Sequence, residues 1–250
     1  PVITAPASIT VTEDVSSVIS GFSFTDVDAG INTVTATFSV PSGTLSAVTG
    51  MGVTVTGSGT GELTLSGSLA DINFFVAANG LTFKTAQDAT ASVTLTVKIN
   101  DKGFSGSGGE QIDTKTVTLN VTAVNDAPVN NLPAAQTASQ NLDHAFNTAN
   151  GNAISISDVD SGNGLMTVTL TATNGALSLG SLSGINMVSN NGVTMIFEGN
   201  RTNINAALQT LVFRPTNNYL GAATLTIETN DNGNSGTGGA KSDVDTISIS

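Results

Sequence analysis

The sequence repeats itself, and this repeat constrains the fold more than any other feature. Asp26-Val-Asp-Ala-Gly30 recurs as Asp158-Val-Asp-Ser-Gly162, and Asn100-Asp-Lys-Gly103 recurs as Asn230-Asp-Asn-Gly233. Self-similarity in a fixed order and at a fixed spacing is the signature of repeated structural units, here about 125–130 residues long. Further pairs in the same order are Gly67–Asn73 with Gly199–Asn205, Leu81–Phe83 with Leu211–Phe213, and Gly106–Gly109 with Gly236–Gly239.

A short linker, Val124-Asn-Asp-Ala-Pro-Val129, joins the two copies. We place the first repeat at residues 1–125 and the second at 126–250. Pro1-Val2 matches the end of this linker, and the second copy stops inside the strand that matches Thr116–Leu119. We therefore expect the chain to be an excerpt of a longer array, with the second repeat truncated at its C-terminal strand.

Apolar and polar residues alternate along several segments, which is typical of β-strands that bury one face. The clearest segment runs from Val93 to Ile99, and similar patterns cover 34–40, 117–121 and 225–227. Strands are also expected at about 8–12 and 17–25. Sheets that each bury one face must stack, so the predicted fold is all-β, with two tandem β-sandwiches. Phenylalanines in apolar patterns are expected in the core: Phe22, Phe24, Phe38, Phe74, Phe75 and Phe213.

Each copy is also predicted to contain one short helix that closes the sandwich. In the first copy, Ser68 and Asp71 have the spacing of a capping box, in which the two side chains bond the free N–H groups of a helix start. The apolar residues expected to face the sandwich are Leu69, Ile72 and Val76 in the first copy and Ile204, Ala207 and Leu208 in the second.

Composition and charge exclude several functions. The formal net charge is −12 with seven Lys and Arg, whereas nucleic-acid binding needs clustered basic residues. No apolar run approaches 18 residues, so we expect no membrane insertion. The absence of cysteine removes disulfides and thiol chemistry. We expect a monomer whose partners include the neighbouring repeats of the same chain.

Catalysis finds little support in the sequence. The single histidine, His144, is expected in a surface loop, and no nucleophile-elbow motif accompanies it. The Gly-rich segments 106–109 and 236–239 lack the lysine and the helix of a phosphate site, and are expected to be flexible hairpin loops. A glycosidase pair would have to come from scattered acids: Glu62, Glu110, Glu198 and Glu228.

Acidic residues follow the strands that end on one side of each predicted sandwich. Strands alternate in direction, so the loops after the second and sixth strands lie at the end where the repeat begins. On an extended strand, both carboxylates of an Asp-x-Asp motif would share one face. The residues gathered in this way are Asp26, Asp28, Asn100 and Asp101 for the first copy, and, for the second, Asn125 and Asp126 of the linker with Asp158, Asp160, Asn230 and Asp231.

Four or more carboxylates at one junction repel one another unless a cation lies among them. Carboxylate, amide and carbonyl oxygens suit Ca²⁺ better than Mg²⁺, which demands strict octahedral geometry. Glu13 and Asp14 lie at the other end of the first copy and face the same junction, while the second copy has Asn141-Leu-Asp143 near that position. The corresponding end of the second copy therefore lacks a metal ligand or uses Asp143. The alternative is that the acidic motifs are ordinary solvated turns, which also favour Asp and Gly.

The ordered motifs Thr10-Val-Thr-Glu-Asp14, Asp26–Gly30, Gly67–Asn73, Ile99-Asn-Asp101 and Val124–Val129 resemble the tandem cadherin-like or Ig-like repeats of large bacterial surface adhesins. These include the RTX adhesins exported by type I secretion. The resemblance covers both copies and implies Ca²⁺ at the junctions of a stiff rod outside the cell. The implied ligands are Glu13, Asp126, Asp158, Asp160 and Asp231, with Asp26, Asp28 and Asp101 serving an upstream junction.

The sequence thus predicts non-catalytic extender repeats of a secreted adhesin on the bacterial cell surface, of the kind that supports adhesion and biofilms. The alternative is a Ca²⁺-dependent module that binds a surface polysaccharide or protein. One tyrosine and no tryptophan argue against a sugar platform. An enzyme is the third and weakest hypothesis.

Overall fold

The computed structural model of the chain describes residues 1–103 and 108–250, so the predicted loop 106–109 lies partly outside the described residues. Two compact units are present, unit 1 (Pro1–Val124) and unit 2 (Asn125–Ser250). Asn125, which the sequence assigned to the first repeat, thus belongs to unit 2.

Unit 1 is built almost entirely of strands that form a six-stranded sheet, a three-stranded sheet and a separate pair. The orders are β2-β11-β10-β5-β8-β7, β3-β9-β6 and β1-β4. Only the pairing of β2 with β11 is parallel among the ladders of the described part of this unit. The strands are β1 (Val2–Thr4), β2 (Ser8–Thr12), β3 (Ser17–Val18), β4 (Ser23–Thr25), β5 (Val34–Ser39), β6 (Thr44–Ser46), β7 (Thr54–Thr56), β8 (Glu62–Gly67), β9 (Thr82–Lys84), β10 (Val93–Asn100) and β11 (Ile112–Thr122).

Unit 2 repeats this arrangement. Its sheets have the orders β17-β18-β15-β20-β21, β13-β19-β16 and β12-β14. A single parallel bridge between Gln136 and Ile249 stands where unit 1 has the whole β2–β11 ladder. The strands are β12 (Val129–Asn131), β13 (His144–Phe146), β14 (Ser155–Ser157), β15 (Met166–Ala172), β16 (Gly175–Leu179), β17 (Asn186–Asn190), β18 (Thr194–Gly199), β19 (Leu211–Pro215), β20 (Ala223–Asn230) and β21 (Ser242–Ile249).

The alternating pattern of the sequence is also the burial pattern of the strands. In β10, for example, Val93, Leu95, Val97 and Ile99 are buried while the threonines between them lie outward. Each unit therefore encloses one apolar core of its own. The prediction of an all-β fold made of β-sandwiches is confirmed.

One α-helix in each unit covers the core, as predicted: α1 (Leu69–Ala77) and α2 (Arg201–Leu208). A 3-10 helix, Thr148–Asn150, also occurs in unit 2. The Ser68 hydroxyl accepts a hydrogen bond from the Asp71 N–H (3.2 Å) and donates one to the Asp71 carboxylate (2.6 Å). The Asp71 side chain thus bonds the Ser68 hydroxyl, whereas a full capping box would bond the Ser68 N–H.

Two predictions about unit 1 were wrong. The strand expected over 17–25 is broken into β3 and β4, which pair with different strands, and Gly21 between them has a φ of 90° that suits a sharp bend. Phe74 is 62% exposed, although the five other phenylalanines expected in the core are buried. The apolar side of α1 is formed by its neighbour Phe75 together with Ile72, so Phe74 lies outside that stripe.

None of the helices in the described ranges is long and apolar enough to cross a membrane.

Candidate metal centre

In unit 2, the chain makes a tight turn around the Asp158 carboxylate immediately after β14. Its Oδ1 accepts the N–H groups of Asp160 (3.1 Å) and Ser161 (2.9 Å). Asp favours such turns because its side chain bonds the backbone two and three residues ahead. This corrects the extended Asp-x-Asp geometry expected from the sequence, since β14 has already ended at Ser157.

A second acid, Asp231, lies in the loop after β20 and is fully buried. Its Oδ1 accepts the backbone N–H groups of Gly233 (2.7 Å) and Lys241 (2.8 Å). Its Oδ2 accepts the Asn125 side-chain Nδ2–H at 2.6 Å. Both oxygens of the Asp231 carboxylate therefore accept hydrogen bonds, which fix the orientation of the side chain.

The first residues of unit 2 are bonded into the same region. Besides its bond to Asp231, Asn125 Nδ2 donates to the carbonyl oxygen of Gly239 at 2.9 Å. Both partners are acceptors, which fixes the orientation of the amide and leaves Oδ1 on the opposite side. The Asp126 N–H donates to Asp160 Oδ2 at 3.1 Å. Hydrogen bonds and the Asp158 turn thus connect the predicted ligands of unit 2, which are Asn125, Asp126, Asp158, Asp160 and Asp231.

Four buried oxygen atoms in this group have no hydrogen-bond partner in the described part of the chain. They are Asn125 Oδ1, Asp158 Oδ2, Asp160 Oδ1 and Ser161 Oγ. Buried polar atoms are rarely left unpaired, so we expect each of these four oxygens to contact a ligand, a proton or a water molecule. Ser161 was missed by the sequence analysis, although it replaces Ala29 within an otherwise similar motif.

The negative charge of this group is also uncompensated. Within residues 1–103 and 108–250, no Lys or Arg side chain forms an ion pair with Asp158, Asp160 or Asp231. The Arg201 guanidinium lies nearby but donates to the Asp158 carbonyl oxygen, at 2.7 Å. Burial raises the pKa of the Asp160 carboxyl, and the adjacent Asp158 carboxyl raises it further. Asp158 is buried and Asp160 is half-buried, and neighbouring carboxylates with buried, unpaired oxygens require a proton or a cation between them.

The donors at this centre fit one kind of metal ion. Carboxylates, an amide oxygen and a hydroxyl are hard oxygen ligands, and nitrogen and sulfur ligands are not among them. Ca²⁺ takes six to eight such oxygens in flexible geometry, whereas Mg²⁺ requires a stricter octahedron and retains several waters. The residues present therefore fit Ca²⁺.

Unit 1 builds the same hydrogen-bonded frame from Asp26. Its Oδ1 accepts the N–H groups of Asp28 (3.0 Å) and Ala29 (3.1 Å), as Asp158 does in unit 2. Its Oδ2 is buried and lies 2.9 Å from the Pro1 nitrogen. A hydrogen bond with the Asp28 side chain, together with the bond from the Asp28 N–H, holds the pKa of Asp26 far below its usual range.

Asp101 is the unit 1 counterpart of Asp231. Its Oδ1 accepts the N–H groups of Gly103 (2.9 Å) and Gln111 (2.7 Å). Asp26, Asp28 and Asp101 line a common cavity of about 420 Å³. The three predicted ligands of unit 1 are therefore brought to one place, but Asp28 is exposed.

At the other end of unit 1, Glu13 and Asp14 follow β2. The Glu13 carboxylate is buried and accepts the Val124 N–H at 2.9 Å, which ties it to the last residue of the unit. The Asp14 carboxylate accepts the Asp88 N–H at 3.2 Å, and both aspartates have φ values of 55°.

The corresponding end of unit 2 has the same backbone but no acidic pair. Asn141 (φ 63°) accepts the N–H of Asn218 (φ 62°) at 2.8 Å, so it occupies the place of Asp14. Gln140 then stands where unit 1 has Glu13. Asp143, the alternative ligand, pairs with the Arg214 guanidinium at 2.5 and 2.8 Å. This ion pair lowers the pKa of Asp143.

His144 was wrongly expected in a surface loop. It lies in β13, opposite Phe213 of β19, where its ring contacts the Phe146 ring edge-on with centroids 5.1 Å apart. Its Nε2 is within hydrogen-bond distance of the Gln136 and Asn152 side chains. Burial lowers the pKa of His144.

No family model matches the sequence, and no curated protein matches it. Among solved structures, the chain is similar to the EC1-2 fragment of human mucin-like protocadherin, with 14% identity and a TM-score of 0.38, covering 99% of this chain and 97% of that one. It is also similar to mouse cadherin-23 EC22-24, with 15% identity, a TM-score of 0.35 and coverages of 98% and 63%. A third match is an endo-fucoidan hydrolase from glycoside hydrolase family 107, with 17% identity, a TM-score of 0.23 and coverages of 84% and 28%.

The chain therefore spans less than two thirds of the length of the last two of these structures. At such identities and TM-scores the likeness says nothing about a ligand, an activity or a partner, so a function has to be derived from the residues of the candidate centre.

Proposed function

We propose that the chain is a pair of non-catalytic, Ca²⁺-binding extension repeats of an extracellular adhesin. The observation that carries this proposal is the set of buried, unpartnered oxygens on Asn125, Asp158, Asp160 and Ser161. In unit 2, Asn125, Asp126, Asp158, Asp160, Ser161 and Asp231 would hold the ion. Bound there, Ca²⁺ neutralises the carboxylates and connects the linker to two loops.

In this proposal the ion also limits the motion of one repeat against the next. The Glu13 carboxylate is bonded to the N–H of Val124, and Asp126 follows only two residues later along the chain. Two residues of backbone reach at most about 7 Å. Covalent connection alone thus keeps Asp126 near Glu13, which supports Glu13 as a ligand from the preceding repeat.

The unit 1 equivalents of Asp158, Asp160 and Asp231 would serve a junction with a preceding repeat. They are Asp26, Asp28 and Asp101. The bacterial cell surface, type I secretion and the RTX class follow from the motif resemblance alone and belong to the proposal. So do the partners, which are neighbouring repeats and a surface glycan or protein.

The expected energetic effect can be estimated from mass action. Extracellular Ca²⁺ modules bind with Kd values on the order of 10⁻⁴–10⁻³ M. If only the folded form binds, about 10 mM Ca²⁺ stabilises it by about 1.4–2.7 kcal/mol. For a unit of this size, that corresponds to roughly 4–10 °C in Tm.

The test compares the chain in about 10 mM Ca²⁺, in Mg²⁺ and in EDTA. We expect calorimetry to show a higher Tm in Ca²⁺ and small-angle scattering to show a narrower range of conformations. Mg²⁺ should produce a smaller effect. The double variant D158N/D160N is the matched control, because it keeps the size of both side chains and removes their charge. Identical melting and scattering curves in Ca²⁺ and EDTA would refute the proposal.

A further inference from the structure

The side chain of Asn205 in α2 binds the backbone of the strand that leads to the candidate metal centre. Its Oδ1 accepts the Ile156 N–H at 2.8 Å, and its Nδ2 donates to the Ile156 carbonyl oxygen at 2.9 Å. Two opposed residues of an antiparallel sheet exchange this same pair of bonds. One side-chain amide thus takes the place of a neighbouring strand for β14.

This contact fixes the backbone just before the acidic turn. Ile156 is 2% exposed, so its N–H and carbonyl would lack partners without Asn205, at a cost in free energy. Asp158 follows two residues later, and its carbonyl oxygen accepts the Arg201 guanidinium from the first turn of the same helix. Residues 156–158 are therefore held by α2 at both ends of a three-residue segment.

Unit 1 contains the same contact. The Asn73 side chain accepts the Phe24 N–H at 2.8 Å and donates to the Phe24 carbonyl oxygen at 2.8 Å. Phe24 precedes Asp26 by two residues, as Ile156 precedes Asp158. Leu69 stands at the place of Arg201 and offers no hydrogen bond. The asparagine contact is thus the part of the arrangement that both units share.

We propose that Asn205 is a positioning residue of the unit 2 metal centre, an inference that rests on the proposed Ca²⁺ binding. Its amide holds β14 in place, so that the Asp158 carboxylate is already fixed before the ion binds. Ligands that are fixed in advance lose less conformational freedom on binding. Removal of groups that orient metal ligands typically lowers metal affinity by about 10–100-fold.

The experiment uses the full chain and the variant N205L, which keeps the branched shape of the side chain and removes both hydrogen bonds. Ca²⁺ is titrated while NMR follows the backbone amide of Asp160, which reports on unit 2 alone. We expect N205L to weaken this binding about tenfold. The matched control N73L changes the same contact in unit 1 and should leave the Asp160 titration unchanged.

A second measurement separates positioning from general stability. Both variants should lower the metal-free Tm of their own unit, because each leaves a buried N–H and carbonyl without a partner. If N205L lowers this Tm but binds Ca²⁺ as tightly as the wild type, the positioning role is refuted. If N205L does not fold, N205D replaces it, because Asp retains the acceptor for the Ile156 N–H, loses the donor and places a negative charge beside the Ile156 carbonyl oxygen. Unchanged binding by N205D would again refute the role, and about tenfold weaker binding would support it.

The outcomes also distinguish this inference from the function on which it rests. A wild-type chain whose Asp160 amide does not respond to Ca²⁺ would contradict the proposed function. A wild type that responds, together with an N205L variant of equal affinity, would contradict the positioning role alone.

Discussion

The candidate centres of the two units share one hydrogen-bonded frame and differ in how far they are closed. In both, an aspartate accepts the N–H groups two and three residues ahead, and a second aspartate accepts two N–H groups of the loop after a long strand. In unit 2, Asn125 bonds directly to Asp231, which is fully buried. In unit 1, the equivalent acids face an open cavity and Asp28 is exposed. The hydrogen-bonded frame is therefore common to both units, and the bond from Asn125 is what unit 2 adds to it, since Asp101 is also buried in unit 1.

At the other end of each unit, the loops that contain Asp14 and Asn141 share a backbone conformation and differ in charge. Asp14 and Asn141 occupy equivalent positions with nearly equal φ values, and each accepts an N–H from the same loop. The backbone is thus the same with or without the carboxylate. The charge of Asp14 is therefore not required for this backbone conformation.

The largest difference between the units is expected when the buried aspartates are removed. D231A leaves two backbone N–H groups and one N–H of the Asn125 amide without an acceptor in a fully buried place, which we expect to cost about 4 kcal/mol of unfolding free energy. D101A removes the acceptor of two N–H groups at a more open site and should cost about 2 kcal/mol. Denaturant unfolding of each variant measures both values. Equal losses would show that the bond from Asn125 does not distinguish the centres.

Charge neutralisation should also separate the two centres. Because the pKa of Asp160 is raised, metal-free unit 2 loses stability as the pH rises above the ordinary Asp value of about 4, where the unfolded chain gives up its proton first. D160N should remove this loss and abolish the Ca²⁺-dependent gain of about 1.4–2.7 kcal/mol. The exposed counterpart change, D28N, should alter neither property of unit 2. Melting curves between pH 4 and 8, with Ca²⁺ and with EDTA, measure these effects.

A smaller effect is expected at Ser161, where unit 1 has Ala29. S161A removes a buried hydroxyl that lacks a partner in the described residues, so the metal-free stability should stay constant or rise slightly. Ca²⁺ affinity should fall by about three- to tenfold if the hydroxyl is a ligand. Isothermal titration calorimetry measures the affinity, and unchanged binding would exclude Ser161 from the ligand set.

The smallest difference concerns acidification. His144 is the single histidine of the chain, and burial lowers its pKa. Its contribution to the stability of unit 2 is therefore complete above the ordinary His value of about 6.5 and is lost as the pH falls below it. H144Q should remove this dependence between pH 5 and 7, while unit 1 shows none from histidine. A wild-type unit 2 with no change in Tm over this range would contradict the prediction.

Much of the fold could be predicted because its signals are local. Alternation in residues such as Val93 to Ile99 gave the strands, and the spacing of Ser68 and Asp71 gave the start of α1. The predictions that were wrong depend on contacts between distant segments. His144 lies in a strand because it faces Phe213, and Gly21 divides one predicted strand between two sheets.

The candidate centre could be predicted only in part. The acids were visible as repeated motifs, but Ser161 was not, because a serine in a turn needs no special explanation until its burial is known. The sequence placed Asn141-Leu-Asp143 near the position of Glu13 and Asp14, but the pairing of Asn141 with Asp14 is defined by a shared backbone conformation.

By itself, the sequence determined the two-fold repeat, the strand-rich class and the residue types that could hold a cation, because each of these depends on spacing along the chain. Only the tertiary structure decided which carboxylates are buried, which oxygens lack a partner and which helix holds the acidic turn. Burial and hydrogen bonding depend on segments that lie far apart in the sequence, such as Asn125 and Asp231 or Ile156 and Asn205.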